Sequence, residues 1–457
     1  MIGDNSYKIN KTESWVFVVI TLLNLFPILF TKFVPTIDGA CHLYNSKLIN
    51  HLLFDAPSRI NDFFTFNHEP VPNYFGHILL SFFNLCFPAW LSEKAMIIFY
   101  LLVFPFSFRR LIISISPNNL LLSYLVFPFT YNIIFFYLGF YNNSFAIIFM
   151  LLALSYWIRN EEDLNFFSNK LNPKKGRWRK RFLFILLLLL TYFSHLFIFG
   201  ILLFIIGIQI LIKNFADVKS FMVLFRKSIT LILFSIIPLV LIFFYFQSRK
   251  STGEIDYLSF NEHLFWLKNL ILTYDEDPIF VGILFYSFVI LVIAAIIYRI
   301  RNVRKFLVVS DFYLVAAILL LVFYFTIPDG DGVAGYVTLR LGLLFFIILS
   351  IWIASQHIPM WVIVAFISVM LVCHFKLNVD RMNTIEPLNT IAIDVYNLSK
   401  QIEPNSLVLP INCSDNSRLI HFSSYLGIDK PIIVLDNYEC ERGWFPLYGI
   451  LKRCLPR

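Results

Sequence analysis

Apolar runs of eighteen or more residues recur along this chain, from Trp15–Phe33 to Phe306–Ile327. A helix of that length crosses a hydrocarbon core about 30 Å thick. Lipid offers the backbone no hydrogen-bond partners, so only helices and closed barrels span it. A barrel would read as alternating strands of about ten residues instead. The pattern therefore predicts an all-α polytopic membrane protein. Composition agrees: 58% of residues are hydrophobic and 14% charged, against roughly 25% charged in soluble domains.

Basic clusters predict the orientation, because Lys and Arg concentrate in cytoplasmic loops. The strongest is Lys174, Lys175, Arg177, Arg179, Lys180 and Arg181. Arg299, Arg301, Arg304 and Lys305 form the next, with Arg109–Arg110 and Arg226–Lys227 weaker. The net charge of +8 resides in these short loops and does not argue for nucleic acid. Trp15–Phe33 follows Lys8 and Lys11, lacks a small-x-small cleavage site and is expected to stay as the first span. Spans such as Leu120–Tyr137 and Phe182–His195 follow. Walking through them gives about 11–13 crossings of the inner (cytoplasmic) membrane. The N-terminus lies in the cytoplasm and the tail from Lys376 outside. His77–Leu91 does not fit the parity and is expected to lie half-inserted or on the surface.

The tail has another composition. Its apolar runs are short, Leu407–Leu409 and Ile432–Leu435, and turn formers such as Asn412, Gly427 and Gly443 separate them. This predicts a small extracytoplasmic α/β domain over 376–457, resting on a transmembrane domain over 1–375. Cys413, Cys440 and Cys454 share the tail, enough for one disulfide outside the cytoplasm.

One sizeable polar stretch, Phe33–Asn73, interrupts the early apolar runs and carries Asp38, His42, His68 and Glu69. Asp38 opens an amphipathic helix over Ala40–Leu53, where it can serve as an N-cap or as a catalytic carboxylate. His42, one turn on, shares its face and can orient or protonate a bound group. His68–Glu69 precede Pro70-Val-Pro72, which holds them in an extended or turning path. Arg340 enters an apolar run at the same side and suits a phosphate clamp or a snorkelling cation. His195, at the tip of a hairpin, suits helix packing or a phosphate contact. Tyr141-Asn142-Asn143 form a plain turn or border the cavity. Asp275-Glu276-Asp277 read as a helix start. Asp329 and Asp331 alternate with glycines and offer two ligands of a cation loop, so a divalent cation has a place but no complete metal-ligand set is legible. No Walker loop, GxGxxG, HExxH or GxSxG occurs.

The layout resembles the GT-C superfamily of membrane glycosyltransferases, the oligosaccharyl-, protein-mannosyl- and aminoarabinose-transferase group. The resemblance rests on Ile37-Asp38-Gly39 just after the first span, on the surface helix, on Glu69-Pro-Val-Pro-Asn73, and on further spans ending in a small outer domain. It departs from the family pattern in the loop Gly139–Asn143, which carries no acid. The resemblance implies a donor sugar on a polyprenyl phosphate, drawn from the membrane lipids, and an extracytoplasmic acceptor hydroxyl. It implies Asp38 as general base, with His42 beside it. Glu69, His68, His195, Arg340 and Asn142 would bind substrate. The alternatives are a non-catalytic envelope scaffold and a lipid-linked sugar transporter or flippase.

Overall fold

A computed structural model describes residues 11–69, 71–167, 176–216, 221–248, 254–303, 307–330, 335–441 and 443–450. Lys8, Pro70, Lys174, Lys175, Arg304, Lys305, Asp331 and Cys454 lie outside these. Ten helices among the described residues are long and apolar enough to cross a membrane, fewer than the sequence count of about eleven to thirteen. Multiple apolar helices make this a multi-pass membrane protein. One counted span, Phe182–His195, accounts for the difference from eleven, and the segment left out of the count stays short. Helix Arg177–Ser194 opens with four basic residues, which leaves a short apolar stretch. Helix Phe75–Cys86 has 12 residues, about 18 Å at 1.5 Å per residue, too short to cross. It lies along helix Gly39–Phe54: Asn50 Nδ2 donates to the Ser81 carbonyl at 2.9 Å and Asn84 Nδ2 to Ser46 Oγ at 2.7 Å.

The segment expected as one span over Leu120–Tyr137 is broken. A 3-10 stretch, Pro117–Val126, runs into a short helix, Phe127–Thr130, and then a π turn, Ile133–Tyr137. Backbone groups freed by such a break must be satisfied locally. Asn132 does this: its Oδ1 accepts from Phe135 N at 3.0 Å and its Nδ2 donates to Phe129 O at 2.9 Å.

The bundle has two chemically different ends. At one, Arg109 pairs with Glu13, Lys213 and Lys227 converge on Glu161, Lys180 meets Asp163, and Arg299 meets Asp311. Arg299, Lys180, Lys227 and Arg109, each from a different basic cluster, thus share an end. The Phe33–Asn73 stretch lies at the other. Glu93, beside Gly39, and Arg109 sit on one helix, Ala89–Ile115, about 24 Å apart along its axis.

Residues 399–450 carry short strands and 3-10 turns and rest on the helical bundle. Helix Met360–Leu398 continues through the boundary proposed at Lys376. Its Arg381 is fully buried against Glu276, Nε to Oε1 2.8 Å. A guanidinium taken from water needs such a partner, and this one locks the helix to the loop before helix Pro278–Asn302. Four short strands follow the expected runs in part: β1 (Phe64–Phe66), β2 (Leu407–Val408), β3 (Ile433–Val434) and β4 (Leu447–Gly449). β2 and β3 pair in parallel; β1 and β4 pair antiparallel, Thr65 opposite Tyr448. After helix Met360–Leu398 the helical elements of 399–450 are, among the described residues, 3-10 turns. Cys413 and Cys440 are free, so no disulfide joins them.

The C-terminal segment instead covers helix Gly39–Phe54, which is buried on every side from Gly39 to Ser46. This replaces the surface-lying amphipathic helix expected from sequence. Tyr44 Oη donates to Ile432 O at 2.8 Å and accepts from Val434 N at 3.1 Å. Tyr44→Phe removes both bonds inside a buried interface. It should lower stability by about 1–3 kcal/mol, read as a lower melting temperature of the purified protein in detergent.

Candidate functional site

Asp38 is positioned by the backbone on both sides. Ile37 N and Asp38 N donate to the Tyr137 and Leu138 carbonyls at 2.9 and 3.0 Å. The return chain turns at Gly139, whose φ is +80°. Asp38 stands at the N-cap position of helix Gly39–Phe54, yet its side chain makes no capping bond. Thr36 Oγ1 accepts from Gly39 N at 2.9 Å and takes that place. The capping reading of Asp38 is thereby corrected: the carboxylate is released from the helix start and faces a cavity.

That cavity measures about 910 Å³. Asp38, His42, Asn142, His195 and Arg340 all line it, brought from four separate stretches of chain. His68 and Glu69 do not. Both are exposed, and the loop is docked by their neighbour Asn67, whose N donates to Pro446 O at 2.8 Å and Nδ2 to Phe445 O at 2.9 Å. Asp275–Asp277 also stay outside the lining. Glu276 pairs with Arg381, and Asp277 caps its helix through Ile279 N at 2.8 Å. Asp329 Oδ1 accepts from Thr338 N at 2.9 Å, capping helix Val337–Ala354. Asp331 lies outside the described residues.

Asp38 is 7% exposed. Burial pushes its pKa up to about 6, against the opposing pull of His42 and a hydrogen bond from Tyr438. The carboxylate therefore sits at the threshold of ionisation near neutral pH. His421 approaches it, Nε2 to Oδ1 3.9 Å, and stacks on Tyr438 with ring centres 4.5 Å apart. Burial lowers the His421 pKa to about 4, so this ring is neutral at pH 7. The same burial, with Asp38 beside it, raises the Tyr438 hydroxyl well above its usual value.

Opposite these groups the wall is polar and incompletely satisfied. Arg340 is 8% exposed, its guanidinium 4.9 Å from the Phe140 ring centre. Its Nε has no hydrogen-bond partner among the described residues; the same holds for His195 Nδ1 and both amide atoms of Asn143. Asn142, the sequence candidate, is committed elsewhere: its Oδ1 accepts from Gly76 N at 2.6 Å and its Nδ2 donates to Asn73 O at 3.0 Å. Its neighbour Asn143 is the free amide. Buried polar atoms are normally paired, and those left over here line one space. Leu196, Phe197, Tyr245, Phe246 and Ile255 make another part of the lining apolar. The cavity thus offers a carboxylate, a cation, free amide groups and a greasy flank.

Behind His42 lies a second cluster. His42 Nδ1 is 3.3 Å from His77 Nε2, and the Glu439 carboxylate reaches both rings. Sequence reading found His42 but neither His77 nor Glu439. Both fall in stretches without a motif, and Glu439 is nearly 400 positions from its partner. Glu93 is also new. It is fully enclosed and accepts from Tyr141 Oη at 2.9 Å, just under Gly39. Glu93 is not part of the cavity lining. The sequence matches no protein-family model and no curated protein.

Proposed function

We propose that this chain is an integral-membrane glycosyltransferase. It moves a sugar from a polyprenyl-phosphate donor to an acceptor hydroxyl, with Asp38 as general base. One observation carries the reading: a carboxylate with a raised pKa and a buried guanidinium share an amphipathic cavity whose polar wall lacks partners. The apolar flank suits a prenyl chain. Arg340 suits the phosphate, with His195 as a neutral donor or acceptor beside it. Asn143 suits sugar hydroxyls.

In this mechanism Asp38 takes the acceptor proton as the oxygen attacks the anomeric carbon. The bond from that carbon to the phosphate oxygen breaks, through a transition state of oxocarbenium character. Negative charge gathers on the leaving phosphate, where Arg340 lowers the barrier. Tyr438 hydrogen-bonds the carboxylate, and His421 stands beside it. A single displacement inverts the anomeric centre.

The test is direct. Purified full-length chain in detergent receives a labelled polyprenyl-phosphate sugar and a panel of hydroxyl acceptors. Release of polyprenyl phosphate with an inverted product is expected. Retention would overturn the single displacement, and an unconsumed donor would turn the reading to a scaffold or transporter. The pH profile adds a signed prediction. The base works ionised and its pKa is about 6, so the rate should climb as pH rises through 6 and level off above. A rate that falls over that interval would remove Asp38 as base.

A further inference from the structure

The geometry points to a divalent metal site formed by His42, His77 and Glu439, in the wall behind the cavity. All three side chains are buried, and their ligand atoms lie within 4.8 Å of one another. His42 Nδ1 and His77 Nε2 are 3.3 Å apart. Two nitrogens bound at 2.0–2.1 Å to one tetrahedral ion stand about 3.3 Å apart. The Glu439 oxygens are 2.5 Å from the His42 nitrogen and 2.7 Å from the His77 nitrogen.

The other side of each ring decides where the protons are. His77 Nδ1 lies 3.3 Å from the Asn73 carbonyl, a contact that needs N–H there. The His42 ring bonds the Gly139 carbonyl. Toward Glu439 each ring shares a proton with the carboxylate, as the short distances require. A metal ion in that place releases those protons and takes the two ring lone pairs and the carboxylate instead. All three groups are buried, so they need such a bridging cation or proton to stay together. Glu439 Oε2 is oriented by Asn45 Nδ2 at 2.7 Å. Imidazoles anchored to backbone carbonyls and a carboxylate steadied by an amide form the outer support that metal ligands ordinarily have. Two imidazoles and one carboxylate suit zinc-class ions rather than magnesium or calcium. Three protein ligands leave a fourth position for water or a phosphate oxygen. The site stands on its own residues and does not depend on sugar transfer.

The ion would fasten three parts of the chain: helix Gly39–Phe54 through His42, helix Phe75–Cys86 through His77 and the C-terminal segment through Glu439. To test this, full-length protein in detergent is stripped with chelator and titrated with Co²⁺. One ion per chain is expected, with visible ligand-field bands of a four-coordinate site and a higher melting temperature. His77→Ala and Glu439→Gln should abolish the bands, while His68→Ala, at an exposed histidine, should keep them. Asn45→Ala should weaken binding by about 10–100-fold. Stripped wild-type protein that neither gains bands nor shifts its melting temperature with Co²⁺ or Zn²⁺ overturns the site, whatever the variants do. Bands that persist in folded His77→Ala overturn it as well.

Discussion

Asp38→Asn should reduce sugar transfer by about three orders of magnitude, within the range a positioned general base contributes. The amide matches the carboxylate in shape but cannot accept the acceptor's proton. Helix Gly39–Phe54 should not suffer, because Thr36 and not Asp38 caps it. Donor binding should stay within a few-fold, since Arg340 and the apolar flank are untouched. The measurement is single-turnover transfer beside equilibrium binding of the labelled donor. Transfer within a few-fold of wild type would remove the base assignment. A parallel loss of binding would make Asp38 a binding residue.

Gly139→Ala should destabilise the protein by about 2–5 kcal/mol and misplace Asp38. Its φ of +80° disfavours any side chain by about 1–2 kcal/mol. A Cβ there would stand 2.5 Å from Thr36 Oγ1, 2.9 Å from Gly39 N and 3.1 Å from Asp38 N. Two of these are backbone atoms with nowhere to move, so overpacking adds roughly 1–3 kcal/mol. The strain falls on the strand-like contact that sets Asp38. Thermal unfolding should show the loss, and any folded fraction should transfer sugar far more slowly than wild type. A normal melting temperature with normal activity would mean that the turn is looser than its contacts indicate.

The membrane class was legible because span length and hydropathy are local properties. Asp38 and Arg340 could be paired because topology alone puts alternate helix ends on one side, and both line the cavity. The break at Asn132 was not legible. Its cause is a side chain that replaces backbone bonds, and Leu120–Tyr137 still reads as one apolar span because Ser123, Thr130 and Asn132 leave its mean hydropathy high. That one helix, Met360–Leu398, runs through Lys376 was hidden for a related reason. Polar residues 376–398 read as an exposed tail, but Arg381 finds a buried acid in a distant loop. Asn142 and Asn143 are indistinguishable as letters; only the backbone groups of 73–76 decide which amide stays free. His77 and Glu439 are beyond sequence reading altogether, because nothing near either residue signals the other.

The pairing of β1 with β4 has a consequence for how the protein is made. Thr65 leaves the ribosome more than 380 residues before Tyr448, its partner across the ladder. At translation speeds of about 5–20 residues per second, the early loop waits roughly twenty seconds or more with its edge uncovered, while successive helices enter the bilayer. Closure of the cavity therefore waits for the C-terminal segment, and a nascent chain halted before residue 433 would hold its helices but lack the Tyr438, Trp444 and Phe445 part of the lining.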